Sequence, residues 1–388
     1  MNKSDISELK KRFKKTKVTA SRLAGCYVAG EEREIKTYIN DTFLNLEDEE
    51  MFKYLEIMKK TMSGTLGKNM LELPFTTKEE LEGNCYKSLV ALRDSELKSD
   101  QMLEAFYRSV IDTYDYPGNY LILLVFDAYD VPKQTQDGQL LDESEEVYKY
   151  ILCAICPVEL TEPGLSYFED RNVIANRVRD WLVEAPMNGF VFPAFTDRSA
   201  DVHNLLYYVK NTDEMHHELI ETVLGCTSKE PYDKQKKTLY NIVDSVINDV
   251  PEYETFAVVR NINDTLVEMV EEKEADEPVL LDCKGLKEVF RESGIKDELL
   301  YAVEDAFKAC VSDGNLDARG LVEKSMKLKT DTVTVQVKPE NADIIEVRVI
   351  DGRKCLVIPM DVDIEVNGVM RRVREELENA AENADKEQ

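Results

Sequence analysis

Asn119-Tyr-Leu-Ile-Leu-Leu-Val-Phe-Asp127 and Val147-Tyr-Lys-Tyr-Ile-Leu-Cys-Ala-Ile-Cys-Pro-Val-Glu-Leu160 decide the fold class of this chain. Both are apolar runs dense in aliphatic and aromatic residues, and a polar stretch containing Asp137-Gly138 separates them. Such runs, bounded by turn residues, read as two long antiparallel strands joined by an extended loop. Pro117-Gly118 marks the point where strand character begins. Neither run reaches the roughly 18 apolar residues of a membrane helix, so no membrane partner is expected.

Before Pro117 the periodicity is that of helices. Ile6, Leu9 and Phe13 recur behind Ser4, the expected N-cap, and Met51, Leu55, Met58 and Met62 form one stripe over Glu47–Met62. Thr77 and Glu80 make a capping box ahead of Leu81, Cys85, Leu89 and Leu92. Ser99 stands as a cap before Leu103, Phe106, Val110 and Tyr114.

Beyond the hairpin, a helix is expected over Asp170–Glu184 with Ile174, Val178 and Trp181 facing inward. Strands follow over Gly189–Phe195 and His203–Lys210, then helices over 212–224, 231–249 and 252–272, with Pro231 and Pro251 near the starts of the last two. The acidic stretch 268–277 is the expected linker. Two short helices then lead to a run in which Val333, Val335 and Val337 alternate with polar residues, and to the turn dipeptides Asp351-Gly352 and Asn367-Gly368. The expectation is an α+β chain: a helical N-terminal region (1–116), a central antiparallel sheet flanked by helices (117–272), a C-terminal helical hairpin and β-meander (279–374), and an acidic tail (375–388).

The 388 residues carry 49 Lys and Arg against 77 Asp and Glu, a net charge of −28 that repels nucleic acid and anionic membrane at long range. Residues 1–22 oppose that trend with eight basic residues against two acids, a net of +6, which leaves −34 for the remainder. Lys10, Lys11, Arg12, Lys14, Lys15 and Lys17 in this arm are the candidate contacts to phosphate, and a solvated helix face is the competing reading. Arg171, Arg177 and Arg179 make a second cluster, and Arg371, Arg372 and Arg374 a third. The N-terminus has no apolar core of a secretory signal, and the eight cysteines lie scattered through regular structure. Reduced thiols and a cytoplasmic location are expected.

Catalytic, metal and cofactor signatures are all incomplete, so no cofactor, metal site or catalytic residue is expected. Ser63-Gly-Thr-Leu-Gly-Lys-Asn69 approaches a phosphate loop, but Met62 holds the first Gly position and Asn69 replaces the hydroxyl residue. Cys153 and Cys156 lack the second pair a zinc site needs, and in a strand their sulfurs point to opposite faces. His203, His216 and His217 have no spacing that demands a metal. Asp197, Ser199 and His203 are triad residue types crowded together, and Gly164-Leu165-Ser166 opens a nucleophile elbow that Phe168 spoils. Asp313, Asn315 and Asp317 start a calcium loop that Ala318 and Lys324 end. Asp127 and Asp130 close the first long strand where nucleases place metal-binding carboxylates. Val131 and Val147, however, stand where an acid should precede Lys133 and Lys149, and turn-capping is the competing role.

Longer blocks carry a family likeness. Met62-Ser-Gly-Thr-Leu-Gly-Lys-Asn69, Gly118-Asn-Tyr-Leu-Ile-Leu-Leu124, Tyr150-Ile-Leu-Cys-Ala-Ile-Cys-Pro157, Gly189-Phe-Val-Phe-Pro-Ala-Phe-Thr-Asp-Arg-Ser199 and Val349-Ile-Asp-Gly-Arg-Lys354 resemble one bacterial, largely clostridial family, domain of unknown function 4317. That resemblance spans nearly the whole chain and implies no activity. More distantly, the order of elements after Gly118 is similar to that of nucleoid-associated proteins of the YejK/NdpA type. It implies association with bacterial DNA and, taken with the charge of the arm, gives the leading expectation of a non-enzymatic protein that meets DNA through the arm or through nucleoid proteins. The rival expectations are a protein-interaction or regulatory module without DNA binding, and a metal-dependent nuclease using Asp127 and Asp130.

Overall fold

The computed structural model describes residues 1–14, 17–134, 140–248, 250, 254–273, 279–311, 314–359, 364–366 and 369–371. Contacts divide the chain into two units, Met1–Gln235 and Lys236–Gln388. The first unit begins with α1 (Lys3–Arg12), β1 (Arg22–Ala29), β2 (Glu34–Thr42), α2 (Asp48–Thr61), β3 (Met70–Pro74), α3 (Thr77–Glu82), α4 (Asn84–Asp94) and α5 (Asp100–Thr113). It continues with β4 (Asn119–Gln134), β5 (Leu140–Leu160), β6 (Leu165–Phe168), β7 (Val173–Asn176), β8 (Trp181–Val183), β9 (Asn188–Phe192), β10 (Ala194–Thr196), β11 (Ser199–Asp201) and β12 (Asn204–Val209).

The two apolar runs pair as predicted and lie at the centre of an antiparallel sheet ordered β2-β1-β4-β5-β9-β12-β3, with β8 added on the end of β5. The sheet is covered on both faces, so its central strands carry apolar residues at consecutive positions instead of alternating with polar ones. Ile122, Leu124 and Phe126 share a core with Leu92 of α4 and with Phe106 and Val110 of α5. Leu121, Leu123 and Val125 share the opposite core with Leu9 of α1 and with Leu55 and Met58 of α2. Each such aliphatic side chain contributes about 1.5–3 kcal/mol on burial, and the hairpin feeds both layers at once.

Several local expectations need correction. Strands β1, β2 and β3 come from residues 1–116, expected to be helical, and they join the sheet of the residues that follow. The division between units falls at 235, within the expected central region, and not in the acidic stretch at 268–277. Asn2 and not Ser4 caps α1. Its Oδ1 accepts from the amides of Ser4 (2.8 Å) and Asp5 (3.0 Å), while Asp5 accepts from the Asn2 amide (2.8 Å).

The expected helix over Asp170–Glu184 is replaced by β6, β7 and β8. Asn172 turns the chain at φ 48°, and the β-branched Val173, Ile174 and Val183 suit extended backbone. Ile174, Val178 and Trp181, expected inside, are exposed. The helix expected over 212–224 shrinks to a wide turn at Leu219–Val223, because His216 sits at φ 51°, where a right-handed helix cannot pass.

α6 (Tyr232–Ile247) opens the second part of the chain, followed by α7 (Thr255–Glu271), α8 (Cys283–Glu292) and α9 (Leu300–Cys310). Ile242, Val243, Ile262, Leu266, Phe290 and Val303 build the core of the second unit. Three hairpins follow: β13 (Met326–Lys329) with β14 (Thr334–Val337), β15 (Glu346–Ile350) with β16 (Arg353–Val357), and β17 (Ile364–Val366) with β18 (Val369–Arg371). Among the described residues each pairs only within itself, so the expected meander is a set of small two-stranded sheets. Asp351 (φ 51°) and Gly352 (φ 77°) form the predicted tight turn. Asp137-Gly138, Pro251, Asn367-Gly368, Arg372, Arg374 and the acidic tail lie outside the described residues. No described helix is long and apolar enough to cross a membrane.

Candidate functional site

The capping box starts α1, and Ile6 and Leu9 bury its inner face against the sheet. This packing decides what the basic residues can reach. Lys3, Lys11 and Lys14 are exposed, whereas Lys10 is half-buried, and burial and the nearby Lys59 push its pKa down. Lys15 and the side chain of Lys17 lie outside the described residues.

Arg12 turns inward. Its Nε and Nη2 donate to the two carboxylate oxygens of Asp127 at 3.0 and 3.2 Å, and its guanidinium lies 4.4 Å from the centre of the Tyr129 ring. Asp127 is fully buried and also accepts from the Tyr150 hydroxyl at 2.9 Å. Burial opposes the charge on Arg12, but the hydrogen bonds and charge of Asp127 outweigh it and raise its pKa. Burial, then the charge of Asp127, drives the Tyr150 hydroxyl far up, which keeps it a donor. A second bridge lies alongside: Glu8 of α1 accepts from Tyr129 (2.6 Å) and from Arg198 (2.9 Å). Burial and the bond to Glu8 push Tyr129 up to about 12. These bonds clamp the arm onto β4 and onto Arg198, between β10 and β11.

The clamp also answers the paired-carboxylate expectation. Asp127 and Asp130 stand three residues apart in one strand, and strand geometry sends them to opposite faces. Asp127 is buried and Asp130 exposed, so they do not meet around one ion. The remaining motifs are equally dispersed. Cys153 and Cys156 enter opposite cores. His203 bonds Glu80 (2.9 Å), His217 bonds Ser228 (2.7 Å), and His216 packs on Tyr114 at 4.2 Å, so the histidines do not converge. Ser199 donates to Glu146 (2.7 Å) and not to His203. Asp317 accepts from the amide of Arg319 (3.1 Å), while Asp313 lies outside the described residues. Among the described residues no three His, Cys, Asp or Glu side chains are grouped to hold a metal.

One surface stands out by its apolar content. β6 and β7 form a hairpin, β8 pairs with Val158–Leu160 of β5, and this flap exposes Leu165, Tyr167, Val173, Ile174, Val178, Trp181, Leu182 and Val183. Ile174 is 71% and Trp181 57% exposed, so these are not core residues with an accessible edge. Arg171 lies over the Phe168 ring at 4.6 Å, and Arg179 donates to the Thr161 carbonyl at 2.7 Å. The exposed Glu169, Asp170 and Asp180 share the flap with the exposed Arg171, Arg177 and Arg179. Elsewhere among the described residues of the first unit the exposed large apolar residues are Tyr38, Leu81, Met102 and Val147, each separate in sequence.

The model of the family described as domain of unknown function (DUF4317) matches residues 1–369. The chain belongs to this family. Comparisons with curated proteins and with solved structures found no match, and the nucleoid-associated likeness has no support from them.

In this DUF4317 protein the Met62–Asn69 block, so close to a phosphate loop, is a packing device. Gly67 holds φ +77° against the ring of Tyr232, and Lys68 pairs with Asp233 at 2.7 Å. A Cβ on Gly67 would fall 1.9 Å from a Tyr232 ring carbon. Gly67→Ala is expected to cost about 2–4 kcal/mol from backbone strain and overlap, seen as a lower urea midpoint. An unchanged midpoint would refute the contact. The flap is what the sequence reading missed in DUF4317. Its signal was present in Val173, Ile174 and Val183 beside Asn172, residues that favour strand and turn over helix.

Proposed function

We propose that the DUF4317 chain is a protein-interaction module, with the β6–β8 flap as its contact surface and a second copy of the chain as its partner. The exposure of eight large apolar side chains on one short segment carries this reading. Large apolar side chains exposed together on one segment mark an interaction site, whereas ones scattered singly do not. An isolated two-stranded hairpin is marginal in water and gains from a partner that covers it.

Three features favour a second copy. Symmetric twofold contacts use the same patch on both subunits. The flap holds the only run of exposed large apolar residues in the described part of the first unit, which makes it a patch that both copies present alike. The flap also carries both signs of exposed charge, Glu169, Asp170 and Asp180 with Arg171, Arg177 and Arg179, so a second copy brings opposite charges to each. Sedimentation velocity over a concentration series tests this. A dimer at micromolar concentration is expected, and a monomer throughout would overturn it.

Contact with DNA is the second reading, favoured by Lys3, Lys11 and Lys14 standing exposed on the outer side of the clamped arm. One phosphate contact by each of these three lysines gives a slope of about −3 in log affinity against log salt. Duplex binding by fluorescence anisotropy should then weaken about 40-fold between roughly 50 and 200 mM salt, and Lys11→Glu with Lys14→Glu should remove it. Absence of binding at the lower salt would leave the arm a structural clamp only.

A further inference from the structure

The second unit holds a groove of about 600 Å³ between one side of α7 and the strand β13. Phe256 and Val259 line it from one face of α7, and Met326 and Leu328 line it from β13. Alternation along β13 turns Met326, buried, and Leu328, half-buried, inward. Lys327 and Lys329, which also line the groove, stay exposed on the solvent side of the same strand.

The charges on the groove divide into paired and free. Glu254 pairs with Lys354 at 3.1 Å. Glu323 pairs with Lys236 at 3.0 Å and accepts from the Tyr240 hydroxyl at 3.2 Å. Lys327 and Lys329 have no partner among the described residues. Both carboxylates are thus offset, and two positive charges remain in a chain whose net charge is −28. Asn263 offers a ligand no polar atom: it is 4% exposed, its Oδ1 accepts from the Glu323 amide at 2.7 Å, and Nδ2 is buried without a partner. Lysine lays its methylenes along apolar surface and keeps its ammonium group in water. An apolar groove edged by two such side chains matches a molecule divided in the same way, with an apolar tail and an anionic head.

We propose that this groove binds a straight-chain carboxylate, its tail along Phe256, Val259 and Leu328 and its head between the ammonium groups of Lys327 and Lys329. The two lysines stand two residues apart on one face of the strand, about 7 Å, so one carboxylate can meet both. Phe256 and Asn263 mark about 10 Å of the α7 axis, which sets the length of the tail. The site does not rest on the role of the flap.

Octanoate, octanamide and octylamine carry one tail with three head groups, and butyrate carries the anionic head on a shorter tail. Each is titrated into the full chain by calorimetry and saturation-transfer NMR at about 20 mM salt, where exposed charges are weakly screened. Octanoate is expected to bind with a Kd of about 0.1–1 mM, octanamide about fivefold and octylamine at least about tenfold more weakly. Butyrate, short of four methylenes, should bind at least about tenfold more weakly than octanoate. Lys327→Gln with Lys329→Gln removes both charges at exposed positions. Octanoate affinity should then fall about fivefold, to that of octanamide, which should not change. Val259→Trp fills the groove from a half-buried helix position and should abolish octanoate binding while circular dichroism stays unchanged. The lysine variant decides the matter if Val259→Trp does not fold. No octanoate binding up to about 10 mM, equal affinity for the three eight-carbon compounds, butyrate as tight as octanoate, or a head-group preference that survives in the lysine variant would overturn the proposal.

Discussion

Asp127→Ala is expected to lower the thermal unfolding midpoint by roughly 10 °C, the largest effect of any single side-chain truncation outside the apolar core. The physical reason is the asymmetry of buried ion pairs. An intact pair adds little net stability because desolvation offsets attraction, but removing one member strands the other and costs about 3–5 kcal/mol. Truncation of Asp127 would leave the guanidinium of Arg12, only 14% exposed, and the fully buried Tyr150 hydroxyl without their acceptor. Arg12→Ala should approach the same loss. The double variant should lose much less than the sum, since neither charge is then left unpaired. A shift below about 2 °C for Asp127→Ala would mean that the clamp is not formed in solution. The result also bears on any test for nuclease activity. Loss of cleavage in Asp127→Ala would report unfolding, whereas the exposed Asp130→Ala should change stability by less than about 0.5 kcal/mol and is the cleaner probe.

Trp181→Asp is expected to weaken self-association by about 100-fold while leaving the unfolding midpoint in place. Large aromatic side chains at the centre of an interface account for about 2–4 kcal/mol each, and a carboxylate in the same place adds desolvation of a charge. Trp181 is exposed in the single chain, so the folded monomer loses almost nothing. Ile174→Asp, in strand β7 of the β6–β7 hairpin, should act in the same direction, and Leu81→Asp, also exposed but on α3, should do nothing. Sedimentation equilibrium reads all three. If Trp181→Asp and Leu81→Asp dissociate the dimer alike, or neither does, the flap is not the contact. Loss of association with a lowered midpoint would instead place Trp181 in the folding of the unit.

The central hairpin was legible because β4 and β5 are buried on both faces. A strand in that position needs a continuous apolar run, and such a run is visible without knowing its neighbours. The stripes of α2 and α5 were legible for a similar reason, since one buried face writes a period of 3.6 into the sequence. β1 and β2 were not. β2 is an edge strand, largely exposed or half-buried along its length, and β1 finds its place only by pairing with β4 nearly a hundred positions later. The flap misled because Ile174, Val178 and Trp181 recur at helical spacing, although the side chains face solvent.

The site divides along the same line. The charge of the arm and the chemistry of Asp127 were both readable, and their connection was not: Arg12 and Asp127 lie 115 positions apart and meet because α1 packs on the sheet. Asp127 and Asp130 were read as a possible pair, and the structure parts them, Asp127 buried and Asp130 exposed, because a spacing of three in a strand places side chains on opposite faces. By itself the sequence determined the α+β class, the central hairpin, the principal helices and the family, because these rest on local periodicity and contiguous blocks. The tertiary structure alone decided which cations are free, which apolar residues stay exposed and where an amide donor is left unpaired. Those are properties of burial, and burial depends on partners that the chain brings together from a distance.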